Sequence, residues 1–457
     1  MSLSSVLEPR STARVLPDAI LPHHAAYDEA RTAWNLTADQ RPAAVVVAHD
    51  AAEVLSALDL ARAFDLRVVP QGTGHLASAL PDMSDAILLR TDIGGVTVDP
   101  DARIARVGAG AVWQDVVDAV TPYGLAALSG SSHDVGVTGY ALGGGLSWLA
   151  RSKGLLANNI RSIELATAGG RLLRVDAQHH AELFWALRGG GGNFGVVTAI
   201  EIDLFPITEV FAGMTVWPAD QAREVLAAWV AWSRTAPEAV TTSWRLLRLP
   251  DLPEIPDPLR DTPLVVIDGA VLADGPAAAG MLGAFRGVGT PVMDTWDTMS
   301  PAGLLQLHMD PPEPVPGLGD TALIESLDEA GIDVLLDAAR PQEISPLLFI
   351  ELRQLGGAVG REAPGAGARA KLDGEFALFV IGMPMSPEHG RAIDERLVEI
   401  VAAMRPWSTG GVYANFAERG GSMASAFDAR TFARLQEARA VWDPSEMFVA
   451  SHRIDVP

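Results

Sequence analysis

The sequence predicts an α+β fold, and three observations carry that reading. A strand–helix–strand unit over 43–69 delivers the chain directly into a glycine-rich turn. After Pro206 strands and helices alternate over roughly 200 residues, the pattern of a sheet covered by helices. The 44 glycines and 31 prolines place many turns between these elements. At 457 residues the chain exceeds the ~150 residues of one typical domain.

The elements follow in order. Ala43–Ala48 (AAVVVA) reads as a short buried strand. Asp50 is placed to cap a helix, with Glu53 three residues on as in a capping box. Val54, Leu55, Leu58 and Ala61 give that helix its apolar face as far as Phe64. Leu66–Val69 is the second strand, stopped by Pro70. Strands then recur at Ala86–Leu89, Gly95–Val98 and Ile104–Val107, followed by a helix over Val112–Val120. A hairpin is expected from Ile163–Thr167 and Leu172–Val175, and a short helix from His180–Leu187. The strand after it alternates, with Thr198, Ile200, Ile202 and Leu204 on one face. Beyond Pro206 helices are expected at Ala219–Ser233, Ala277–Phe285, Ile332–Ala339 and Pro387–Met404. Strands are expected at Thr241–Leu247, Leu264–Leu272, Leu347–Gln354 and Phe376–Met383. Met309–Asp320 and Gly356–Ala370 read as turn-rich loops, and Ala429–Val441 as a last helix.

Composition narrows the function. A net charge of −23 argues against nucleic acid or an anionic membrane as partner. The absence of cysteine excludes disulfides, thiolate metal sites and cysteine nucleophiles. No run approaches the ~18 apolar residues of a membrane span. The N-terminal stretch MSLSSVLEPRSTARVL lacks the apolar core of a signal peptide, so a cytoplasmic protein is expected.

Three glycine-rich stretches stand out. In Gly72-Thr73-Gly74-His75 the glycines let backbone approach a ligand, and successive amides can form an anion site. Alone, this stretch reads more readily as a surface turn with a solvated histidine. In Ser129–Ser147 (SGSSHDVGVTGYALGGGLS) glycines 136, 139, 143, 144 and 145 are too many for a stable helix. They suggest backbone pressed against something flat or anionic; the alternative is a long flexible loop. Glycines 190, 192 and 195 match GxGxxG formally, but no strand feeds the motif and no helix opens from it, so a Rossmann reading fails.

Together these stretches resemble the berberine bridge enzyme-like branch of the vanillyl-alcohol oxidase/p-cresol methylhydroxylase superfamily. The resemblance rests on GTGH at 72–75, VGVTGYALGGG at 135–145, ELFWALRGGGGNFGVVTAIEIDLFP at 182–206, YANF at 413–416 and WDPSEMF at 442–448. It implies an FAD-binding domain over 1–206 with a C-terminal return over 407–457. A substrate domain over 207–406 would lie between them, its antiparallel sheet roofing the flavin. It also implies a single covalent bond from His75 to the 8α carbon of FAD. The position of a second, cysteine link in some relatives is Ser132 here. Backbone and side chains of Gly72, Thr73, Gly74, His75, Ser132, Val135, Gly136, Gly139 and Gly145 are the expected cofactor contacts, with Val197 behind the ring and Asn415 near it.

The implied chemistry is removal of a hydride from a C–H next to O or N of a small organic molecule or secondary metabolite, with dioxygen reduced to hydrogen peroxide. A dehydrogenase with another acceptor, or a non-catalytic flavin-binding protein, are the alternatives. Two tyrosines of sugar-oxidising relatives are replaced, by Phe416 and Leu146. The remaining candidates lie on the strand Leu347–Gln354, where period two puts Phe349, Glu351 and Arg353 on one face. Glu351 is expected as base or substrate anchor, Arg353 as its pair or an anion clamp, and Tyr413 as a hydrogen-bond donor. The alternative is an ordinary ion pair on a sheet. His133 is a further acid–base or capping candidate, and His308 a cavity-lining one. No metal is expected. The expected partners are a small-molecule substrate and dioxygen, with the chain acting as a monomer or homodimer.

Overall fold

The computed structural model describes residues 18–249, 260–343 and 346–456. The N-terminal stretch read for a leader lies outside the described residues. After a short helix α1 (Tyr27–Arg31), β1 (Ala44–Ala48), α2 (Ala51–Phe64), β2 (Arg67–Gln71) and β3 (Ala86–Thr91) build a three-stranded parallel sheet in the order β1-β3-β2. Asp50 caps α2 by accepting from the amides of Ala52 and Glu53. Glu53 reaches back to the amide of His49, one residue before the cap.

A second sheet of five antiparallel strands follows, in the order β4-β5-β8-β6-β7. Its strands are β4 (Val96–Asp99), β5 (Ile104–Gly108), β6 (Ile160–Ala166), β7 (Leu172–Asp176) and β8 (Val196–Asp203). Helices α3 (Trp113–Val120), α4 (Val137–Gly143), α5 (Ala150–Lys153) and α6 (Ala181–Gly190) belong to the same stretch. Here the structure corrects an expectation, because α4 lies inside the glycine-rich run that reads as non-helical. Packing outweighs propensity: Val137, Ala141 and Leu142 are buried in the core, and Asn415 Nδ2 donates to the Tyr140 carbonyl at 2.9 Å.

The third sheet is antiparallel, in the order β12-β9-β11-β10-β15-β16-β14, with β13 also on β9. It comprises β9 (Val210–Pro218), β10 (Val240–Arg248), β11 (Pro263–Val271), β12 (Met293–Asp294), β13 (Asp297–Met299), β14 (Leu318–Ile324), β15 (Phe349–Gln354) and β16 (Phe376–Gly382). One face packs under α7 (Ala222–Ser233), α8 (Gly275–Arg286), α9 (Glu329–Ala339) and α10 (Pro387–Ala403), through Trp229, Trp244, Ile267, Leu335, Leu378 and Ile393. Strand β9 was not expected. It is buried along nearly its whole length, so it shows no alternation. Strand β14 begins within the stretch read as a turn-rich loop.

The chain then returns to its first part. Helix α11 (Ala429–Trp442) places Arg439 on Asn193 Oδ1 at 3.3 Å, and the Val68 amide bonds to the Met447 carbonyl at 2.8 Å.

Candidate active site

Two glycine-rich loops meet at the His75 turn. Gly74 has φ +87°, and a Cβ there would lie 2.8 Å from the Ala33 side chain, so only glycine fits. His75 is clamped on three sides. Thr73 Oγ1 lies 2.8 Å from its Nδ1, and the Trp34 ring stacks on it at 4.1 Å and 14°. Asp134 Oδ1 lies 3.7 Å from Nε2, which is buried and has no hydrogen-bond partner. Asp134 also accepts from the Ser132 hydroxyl at 2.7 Å and from the Trp34 indole N–H. Burial favours the neutral acid, but the neighbouring imidazole and these donors outweigh it and hold the Asp134 carboxyl at about 2.

The second loop sits against the first, with a Cβ on Gly136 falling 3.5 Å from Thr73 Oγ1. A Cβ on Gly139 would meet nothing within 4 Å, and one on Gly72 only the Ala109 carbonyl at 3.9 Å. Val135 is half-buried and Val197 buried on β8. Gly145 has φ +75° and abuts Leu156 and Tyr140. Around this cradle Thr138 Oγ1, the Tyr140 hydroxyl and Thr198 Oγ1 are buried without a partner. Unpaired buried polar atoms are rare in folded proteins. Their concentration here, beside open glycines, fits a bound group with a flat ring and phosphates, and FAD is such a group. His133 gives its carbonyl to the Gln114 amide at 2.9 Å. Asn415 sits under α4 as described.

The third sheet turns its uncovered face toward these loops. The register sets Arg245 opposite Glu351, Ser243 opposite Arg353, and Asp268 opposite Ser243, all on one face. Arg353 Nε donates to Glu351 Oε1 at 2.5 Å, and its guanidinium lies 4.1 Å over Trp148, just past the glycine run. His308 Nε2 lies 3.6 Å from Glu351 Oε1, and its Nδ1 lies 3.1 Å from Asp310 Oδ1. Asp310 accepts from Ser131 at 3.0 Å, which joins the sheet side to the loop side. Asp268 accepts from both Ser243 and Arg245. Burial would raise the Glu351 carboxyl, but Arg353 and His308 hold it far below the usual range. Burial and Arg245 push His308 down, while Glu351 and Asp310 push it up and prevail.

Beside this cluster the face is aromatic and partly open: Phe379 stacks on Phe416 at 4.9 Å, and Phe349 lies 5.9 Å from Phe379. Tyr413 is buried against Gly144, its hydroxyl unpartnered and its proton held more tightly through burial. Arg369 packs against Gly144 too, and burial lowers its guanidinium to about 10.

The structure thus brings Phe349, Glu351, Arg353 and His308 together, and groups Gly72–His75 with Ser132, Gly136 and Gly139. Sequence reading missed Asp134, Ser131, Asp310, Arg245 and Asp268. The last two carried a signal: Arg245 follows Thr241 and Ser243 at period two on β10, and Asp268 is the one charged residue in the apolar run of β11.

Cradle and roof together are those of a flavin-binding protein. Residues 42–176 match the family described as FAD binding domain. An uncharacterized FAD-linked oxidoreductase of Bacillus subtilis is 31% identical over 223 residues, 48% of this chain and 49% of that protein. An FAD-dependent monooxygenase of Fusarium proliferatum is 37% identical over 182 residues, 39% of this chain and 35% of that one. The (R)-6-hydroxynicotine oxidase of Paenarthrobacter nicotinovorans is 31% identical over 202 residues, 44% of each. The matched stretches therefore span about a third to a half of these relatives. The solved structure of Physcomitrella patens BBE-like 1 superposes with a TM-score of 0.84 at 19% identity, covering 96% of this chain and 97% of that one. The chain carries an FAD-binding domain within a berberine bridge enzyme-like fold, as its motifs imply.

Proposed function

We propose that the protein is an FAD-dependent oxidase. It removes a hydride from a C–H next to O or N of a small organic molecule, and dioxygen takes the electrons to give hydrogen peroxide. The flavin, attached through His75, supplies the two-electron acceptor; the chain supplies position and charge. The observation that carries this reading is the face of β15, which turns Glu351 and Arg353 toward the side of the fold that holds the flavin cradle.

The roles follow from the contacts. Arg353 is engaged by Glu351 and Trp148, so it serves to hold Glu351 ionised rather than as a free anion clamp. Glu351, held ionised, anchors the substrate O–H or N–H as a hydrogen-bond acceptor, with His308 beside it. Phe349, Phe379 and Phe416 offer an apolar wall, which suits a secondary metabolite better than a sugar. The Tyr413 hydroxyl is a donor with no other claim on it.

The test begins with acid denaturation of purified protein. Yellow colour that stays with the polypeptide and is lost in His75→Ala supports the attachment, and justifies a substrate screen reading peroxide. Colourless protein that FAD cannot reconstitute overturns the proposal. A dehydrogenase would show slow reoxidation of the dithionite-reduced protein in air. Because one relative is named a monooxygenase, product masses are also read after turnover under labelled dioxygen.

A further inference from the structure

We propose that Asp134 is a positioning residue for the attachment of flavin to His75, fixing the imidazole tautomer and countering the positive charge that forms on the ring as the bond is made. The inference rests on His75 as the attachment residue and adds what makes that histidine competent.

The geometry supports it in three ways. Asp134 faces only one of the two ring nitrogens, Nε2, at 3.7 Å. A carboxylate there favours the N–H on Nε2 and leaves the lone pair on Nδ1, where the Thr73 hydroxyl sits at 2.8 Å as a displaceable donor. The carboxylate is itself immobilised, by Ser132 at 2.7 Å and by the indole N–H of Trp34. Trp34 also stacks on the imidazole, so one side chain aligns both partners. At 3.7 Å the pair is too long for a hydrogen bond but within ion-pair reach, so the attraction grows as the ring becomes cationic.

The step balances as follows. The Nδ1–C8α bond forms and one C8α–H bond breaks, its proton leaving to solvent. The electron pair enters the flavin ring, which is reduced by two electrons. The Nε2 proton leaves past Asp134. Dioxygen takes two electrons and two protons, departs as hydrogen peroxide and restores the oxidised ring.

The experiment compares wild type, Asp134→Asn, Trp34→Phe and His75→Ala. Each is incubated with FAD in air. Two quantities are followed: total bound flavin in the native protein, and flavin retained after acid precipitation. The Asn variant keeps the shape and the acceptor for Ser132 but not the charge. It is expected to bind FAD at wild-type stoichiometry while forming the bond about tenfold more slowly, the effect of losing one nearby countercharge. A purely structural role would lower bound flavin and linked flavin together. Linkage at the wild-type rate in Asp134→Asn overturns the proposal and leaves the His75 reading intact. If wild type releases all of its flavin on acid precipitation, the His75 reading itself fails and takes this inference with it. If Asp134→Asn does not fold, Trp34→Phe decides, since it keeps a stacking ring but drops the N–H that aims the carboxylate. Slowed linkage then supports the proposal, and an unchanged rate overturns it.

Discussion

Arg353, on the third sheet, places its guanidinium over Trp148, 4.1 Å from the ring centroid. The contact ties the roof of the site to the end of the glycine-rich run, and the same guanidinium holds Glu351. Removing the cation therefore does more than open a salt bridge. It leaves Glu351, 1 % exposed, beside Asp310 and Asp268 with only His308 and Arg245 to balance three carboxylates. Arg353→Met is expected to destabilise the fold by about 3–5 kcal/mol, as when one partner of a buried pair is deleted. Adding Glu351→Gln should recover a large part of that loss. Urea denaturation of the two single variants and the double variant checks it. Arg353→Lys should fail to substitute, because it has neither the flat stacking surface nor the Nε donor.

His308 sets a pH dependence of known sign. Asp268, Asp310 and Glu351 face Arg245 and Arg353, so the buried group is neutral only when His308 carries a proton. Its proton affinity is raised above the ordinary 6.5 in the fold. A raised value means the contribution is complete below 6.5 and is lost as pH climbs through the folded-state value. Denaturation midpoints of wild type should fall as pH climbs above 6.5 and through the raised folded-state value. His308→Gln should flatten that limb while lowering stability at pH 6. An unchanged alkaline limb in the variant would show that another group controls it.

Glu418 acts in the same direction from a different place. It lines a cavity of about 490 Å³ that Thr37, Ser78, Gly319, Asp394 and Arg419 also border. Its Oε2 is buried without a partner, and burial pushes the carboxyl up to about 7 from 4.5. The fold therefore favours the neutral acid. That preference is fully present below 4.5 and disappears as pH rises through about 7. Glu418→Gln should match wild type at pH 4 and exceed it at pH 8, by no more than about 3.5 kcal/mol at 1.4 kcal/mol per unit. Paired melts across that range distinguish it from His308, whose variant loses stability instead.

Local signals carried much of this architecture. The capping acid Asp50, the period-two sharing of a face along β15, and the punctuation by glycine and proline are properties of a few neighbouring residues, and the structure keeps them. The placement of Phe349, Glu351 and Arg353 on one face needed only period two. What failed depended on distant partners. Strand β9 is buried on both faces, so alternation could not mark it. Helix α4 forms against the core through Val137, Ala141 and Leu142, with Asn415, some 270 residues on, bonded to the Tyr140 carbonyl. The cluster of six charged side chains, Arg245, Asp268, His308, Asp310, Glu351 and Arg353, joins β10, β11, β15 and the His308–Asp310 turn and reaches Ser131, and no spacing within one stretch encodes such a meeting. Asp134 lies 59 residues from His75 in sequence, and only the meeting of the two loops brings them together.

The packing of Asn415 on α4 makes its own prediction. A Cβ on Gly143 would fall 1.6 Å from Asn415 Oδ1, an overlap that neither group can relieve in place. Gly143 is thus glycine because of a side chain from the returning C-terminal segment, not because of its own backbone angles. Gly143→Ala should therefore expel the Asn415 side chain and cost the bond to Tyr140 as well, about 2–3 kcal/mol in all by the usual scale of overpacking plus a lost buried bond. Asn415→Ala alone loses only the bond, about 1 kcal/mol. The two changes share one contact, so they should not add. In the Asn415→Ala background Gly143→Ala should become nearly neutral, with a favourable coupling of about 2–3 kcal/mol in the double-mutant cycle. Flavin content gives an independent reading, because α4 forms one side of the cradle. It should fall in Gly143→Ala and return in the double variant. Additive losses in both stability and flavin content would mean that Gly143 is required for a reason other than Asn415.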